Sequence, residues 1–221
     1  MKIHNVFASA SIALAMLVTP MSAIGLELEY KGFYKRLKLI NDNELDLITM
    51  GFYLVDNHTR QRCELKNVRA LAKGMPAQNV DIGIDNQILV PYSQAHYDNF
   101  GYLQVQQQDP RQDCTLQMQI QFKDKEQKAF SFNDLTQVKE QMQELVDEFG
   151  SFLWFMMPNL QGLHFELDAN NHLDFVDPSI KSLLQCSATT CQLALPEEFD
   201  ATDIALEFNQ PPLVIAPWME K

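Results

Sequence analysis

Apolar residues recur along this chain with two periods. Cys114, Leu116, Met118, Ile120 and Phe122 alternate with Thr115, Gln117, Gln119 and Gln121, the signature of a strand with one buried face and one wet face. In 48–56 and 62–68, β-branched and aromatic residues flank a polar stretch from Asn57 to Gln61. That pattern predicts a hairpin with Cys63 on its second strand. Shorter strands are expected over 80–84, 87–90 and 102–106, parted by turn formers such as Asp85-Asn86 and Pro91.

The other period is helical. Tyr30, Phe33, Tyr34, Leu37 and Ile40 predict a short amphipathic helix ending near Asn41. Its Lys31, Lys35, Arg36 and Lys38 read as a solvated face. Ser131 and Asp134 have capping-box spacing ahead of Leu135, Val138, Met142, Leu145, Phe149, Phe152 and Met156. They open a long helix of about 24 residues, which Pro158 must end because proline lacks the donor and clashes with the preceding turn. Val146 and Leu153 widen its apolar stripe beyond a coiled-coil seam, so it should pack on a sheet. The last turns are apolar on every side. Phe152, Trp154, Phe155 and Met156 are therefore a candidate contact site for another protein.

Beyond the helix, 163–167, 172–176, 182–195 and 204–208 read as strands in hairpins, and Pro211, Pro212 and Pro217 suit an edge or irregular tail. The expected fold class is α+β, mainly antiparallel β-sheet with one long amphipathic helix in mid-chain and a short N-terminal helix. The parts are a leader over 1–23, a β-rich part over 24–130, the helix over 131–158 and an acidic hairpin part over 159–221. The pattern leaves open whether 24–221 is one domain or two.

The leader reading rests on Lys2, an apolar run from Val6 to Val18, and a change of character at Thr19-Pro20, with cleavage after Ala23 or Gly25. That run is about 13 residues, short of the roughly 20 that cross a bilayer as a helix. No cysteine near the cleavage region could carry a lipid. A soluble protein in the periplasm of a Gram-negative bacterium, with no membrane insertion after cleavage, is the expectation.

Charge removes one class of partner. The formal net charge is -12, and residues 131–221 hold 3 basic against 15 acidic side chains, whereas 24–130 hold 13 against 14. Such a surface repels phosphate backbones, so nucleic acid is not expected as a partner.

Four cysteines, Cys63, Cys114, Cys186 and Cys191, allow three pairings, and an even count in an exported chain favours disulfides. Leu184, Cys186, Cys191 and Leu193 are symmetric about a turn through Ser187 to Thr190, which favours Cys186 with Cys191. Cys63 with Cys114 remains, a closure the chain-entropy model values at roughly 4 kcal/mol. A zinc or redox site is less apt, since no Cys-x-x-Cys occurs.

One constellation could carry metal chemistry. If 163–167 and 172–176 form a hairpin with Phe165 and Leu173 buried, His164 faces Asp174 and Glu166 faces His172, a sensible ligand set for a divalent ion. A register slip of one residue destroys it, and two cross-strand ion pairs are the simpler reading. Motifs for nucleophilic catalysis, zinc proteolysis and phosphate cradling are absent. No cofactor is implied outside that hairpin. The preferred function is a non-enzymatic binding or interaction module of the envelope, its partner an envelope protein or small ligand; the alternative is a metal-dependent or carboxylate-based hydrolase acting on envelope material.

Tyr34 and Leu37, then Gly51-Phe-Tyr-Leu-Val-Asp56, Cys63, Leu89-Val-Pro-Tyr92 and Cys114, then the helix with Trp154 and Gly162-Leu163, form a recognisable series. It resembles a family of exported gammaproteobacterial proteins known as domain of unknown function 2987. The resemblance spans most of the chain and implies a Gram-negative periplasmic setting and a pairing of Cys63 with Cys114. It implies no catalytic residue.

Overall fold

The computed structural model describes residues 25–149, 159–196 and 204–219. The alternating run becomes a strand, β6 (Cys114–Phe122), and its partner is β2 (Ile48–Asp56). These two pair antiparallel along their whole length, from Ile48 opposite Phe122 to Asp56 opposite Cys114. This corrects the expected hairpin of β2 with the segment that follows it. A bridge from Val55 to Arg62 and hydrogen bonds from the Asp56 N–H to the Gln61 carbonyl (2.9 Å), the Arg60 N–H to the Asp56 carbonyl (2.9 Å) and the Cys63 N–H to the Leu54 carbonyl (2.8 Å) join those two near the turn, with no longer ladder. Two strands of nine residues satisfy more backbone groups together than the short return segment could offer. The chain after Cys63 instead becomes β3 (Leu65–Leu71) in another sheet.

That sheet has β3 and β5 (Tyr102–Gln107) at its centre, with β1 (Leu26–Glu29) and β4 (Gln78–Val80) at its edges. Past β4, the two expected strands shrink to one bridge, Ile82 to Ile88, around a turn with Asn86 at φ 61. Helix α1 (Tyr30–Asp42) buries Tyr30, Phe33, Tyr34 and Ile40, and sets Phe33 edge-on to Phe52 at 4.8 Å between ring centres. Helix α2 (Gln94–Asp98) is one short turn capped by Ser93.

Helix α3 is described over Phe132–Phe149. Its capping box is reciprocal: the Ser131 N–H donates to Asp134 at 2.9 Å and the Asp134 N–H to the Ser131 hydroxyl at 3.0 Å. Phe132, Leu135, Val138, Met142, Leu145 and Val146 form the buried stripe. The expected helix end and its apolar cluster, Phe152, Trp154, Phe155 and Met156, lie outside the described residues.

The C-terminal strands are β8 (Gly162–Glu166), β9 (Leu173–Val176), β10 (Leu184–Cys186), β11 (Thr190–Ala194), β12 (Leu206–Phe208) and β13 (Val214–Trp218). One sheet runs β10-β11-β8-β13, and a smaller one places β12 between β9 and β7 (Ala129–Phe130). All ladders are antiparallel, so the α+β reading holds. One buried cluster draws on Phe52, Phe122, Leu135, Phe165 and Phe208, from both sides of α3.

Two disulfides are present, Cys63 with Cys114 and Cys186 with Cys191. The second bridges directly opposed residues of the β10–β11 hairpin. Among the described residues no helix is long and apolar enough to cross a membrane.

Candidate functional site

The face of the β2–β6 pair opposite Phe52 carries Thr49, Gly51 and Tyr53 beside Gln121, Gln119 and Gln117. A uniformly wet face was expected for those glutamines. Gln121 is instead fully buried, while Met118, expected inside, is 39% exposed. The reason is local: Gly51 leaves room, since a Cβ there would lie 2.5 Å from the Gln121 side-chain oxygen. Gln121 then finds partners that offset its burial.

Those partners build a polar floor. The Tyr53 hydroxyl lies 2.7 Å from Gln121 Oε1 and 2.9 Å from Asp85 Oδ2, and Gln121 Nε2 donates to Gln87 Oε1 at 2.8 Å. Tyr53 has one proton, so it donates to one of its two oxygens at a time. Turning the Gln121 amide over would let it donate to Tyr53 but would lose the contact with Gln87. Burial, reinforced by the Asp85 carboxylate, pushes the Tyr53 hydroxyl far above its ordinary pKa, so it stays a neutral donor.

Asp85 reaches this floor from the turn before Ile88, with its side chain only 5% exposed. Arg62 answers its charge at 3.7 Å, lies 4.2 Å over the Tyr53 ring, and donates to Glu166 of β8 at 2.6 Å. Lys125 donates to the Leu213 carbonyl at 2.9 Å. Desolvation holds the Lys125 ammonium below the usual lysine range, opposed by the nearby Asp85 charge.

Above the floor opens a cleft of about 430 Å³, within the range of small-molecule sites. Met50, Phe52, Ile88 and Leu89 are among its apolar walls, and Lys123 and Lys125 also line it. Among the described residues Asp85 is the one acid lining it, and Arg62 answers its charge as well as that of Glu166. In a chain of net charge -12, two lysines against one acid leave the described lining with a small excess of positive charge.

The predicted His/carboxylate hairpin does not form. β8 has β11 on one side and β13 on the other, so its edges are filled and β9 pairs with β12. His164 stands opposite Gln192 and Ala216. Glu166 binds Arg62, and His172 lies 3.3 Å from Asp174 on the exposed β9 segment. The four residues are not brought together, and among the described residues no group of three or more His, Cys, Asp or Glu is placed to hold a metal ion.

Sequence reasoning missed Tyr53, Asp85, Gln87, Gln121 and Lys125. Asp85 reads as a turn former and Gln121 as a wet strand position, and no linear spacing joins residues contributed by β2, a turn, β6 and the loop after it. Gly51, diagonal to Gln121 across the strand pair, is the one local hint, legible only once the register is known.

Neither a curated protein nor a solved structure matches the chain. A family model matches residues 22–167, a span that holds every cleft-lining residue except Leu213 and every member of the polar floor. The chain belongs to the family described as Protein of unknown function (DUF2987).

Proposed function

We propose that the protein is a non-enzymatic binding module of the cell envelope, and that its ligand is a small amphipathic anion held in the cleft over the Tyr53–Gln121 floor. Export is supported by the leader-like residues 1–23 and by two disulfides, which persist in oxidising compartments. The observation that carries the binding reading is the combination of apolar walls with Lys123 and Lys125 in a cleft whose only acid among the described residues is Asp85, which is paired with Arg62. An alkyl chain gains about 0.8 kcal/mol for each methylene it removes from water, and the two ammonium groups select a carboxylate or comparable anion. The polar floor is a rigid support, since Asp85, Arg62, Tyr53, Gln87 and Gln121 are satisfied by one another.

Calorimetric titration with octanoate, decanoate and dodecanoate tests this. Affinity should rise roughly tenfold for each added pair of methylenes until the cleft is full. Val90→Trp, which fills the cleft from its wall, should abolish binding, and Lys125→Met should remove the preference for the carboxylate over the alcohol of equal length. Equal affinity across the chain-length series, or binding untouched by both substitutions, would contradict the proposal.

A further inference from the structure

A second groove, of about 750 Å³, is lined by β1, the start of α1 and the α2–β5 connection, and shares no lining residue with the first cleft. Among the described residues, Tyr97, Phe100 and Tyr102 are its aromatic residues, Glu27, Glu29 and Asp98 its acids, and Lys31 its single base. Phe100 is 88% exposed and has φ 52. Hydrophobic burial does not hold the ring there. Tyr97 is fixed from behind by Tyr34 at 4.5 Å between ring centres, and Asp98 accepts from Gln94 at 2.7 Å. The floor is backbone: Gly101 accepts from the Tyr30 N–H at 2.9 Å, and a Cβ at Gly101 would lie 2.7 Å from the His96 carbonyl. Glu27 and Glu29 project from an edge strand and have no ion-pair partner among the described residues.

We infer that this groove binds an organic ammonium cation, its alkyl groups against Phe100, Tyr97 and Tyr102 and its charge balanced by Glu27, Glu29 and Asp98. Ring faces attract cations, quaternary ammonium groups in particular, and carboxylates at the rim supply the longer-range attraction. Three acids against one lysine leave the groove anionic, so it suits a partner of opposite charge to the one the first cleft suits. The two sites are independent, and either can fail without the other.

The test is calorimetry of the folded chain with choline, with spermidine, and with 3,3-dimethylbutanol, the neutral isostere of choline, at matched ionic strength. Saturable binding of choline assigns the groove to a compact quaternary ammonium, and saturable binding of spermidine alone assigns it to an extended polyamine; the neutral isostere should not bind. Phe100→Leu, which keeps apolar bulk and removes the ring, should weaken binding by roughly three- to thirtyfold. Glu27→Gln with Glu29→Gln, both exposed and neutral to folding, should weaken it further and flatten its salt dependence. Glu144→Gln with Glu148→Gln on α3 makes the same change in net charge and should leave binding unaltered. Absence of binding by both cations at millimolar concentration, equal binding of the neutral isostere, or equal loss in the two charge-matched double variants would overturn the inference.

Discussion

Tyr53 shows how one side chain sets the character of the site. Its ring carries Arg62, and its hydroxyl meets both Asp85 and Gln121 although the residue is only 2% exposed. Tyr53→Phe keeps the ring and removes the one proton that these two oxygens share, so it should lower stability by about 1–3 kcal/mol in denaturant unfolding. A change of a few tenths would mean that water or a turned amide replaces the hydroxyl. Gly162 is a different kind of constraint, because a Cβ there would overlap the Leu193 carbonyl, inside the β8–β11 ladder. Neither role is visible from the residue itself. Tyr53 alternates like any strand residue, and Gly162 sits at a strand start where glycine is ordinarily unremarked.

At the scale of elements, what local pattern determines was legible. The alternation over Cys114–Phe122 marks β6 to the residue, and the spacing of Ser131 and Asp134 marks the start of α3 with its two reciprocal bonds. Ser131→Ala should therefore cost about 1 kcal/mol, measured against Asn133→Ala on the exposed side of the same turn, which should cost little. Equal losses would show that the box is not what holds the helix start. Pairing partners were not legible, because period two says which residues share a face and nothing about which strand lies alongside. The supposed hairpin of β8 and β9 failed for that reason: β8 takes β11 and β13, and with them goes the convergence of His164, Glu166, His172 and Asp174. The pairing of Cys186 with Cys191 succeeded because a hairpin of so few residues admits only one partner.

On the scale of the whole molecule, the parts on either side of α3 are tied at several points. α3 contributes three of these ties: Gln141 accepts from the Leu47 N–H at 2.9 Å, Lys139 donates to the Leu195 carbonyl at 2.7 Å, and Gln143 accepts from the Leu160 N–H at 2.8 Å. Arg62 adds a charged link to Glu166 and Lys125 a link to Leu213. The disulfide of Cys63 with Cys114 closes a separation of 51 residues and joins the segment bearing Arg62 to the start of β6. The cleft is thus framed by elements remote in sequence, its floor held by the same contacts that join the two parts. A small anion seated there would bridge the turn bearing Asp85 and the loop bearing Lys125. Hydrogen exchange with and without dodecanoate measures this directly. Slowed exchange is expected at amides in 83–90 and 121–125, with no change around Glu27 or Phe100; unchanged exchange over those two segments at saturating dodecanoate, or protection confined to other regions, would overturn binding in the cleft.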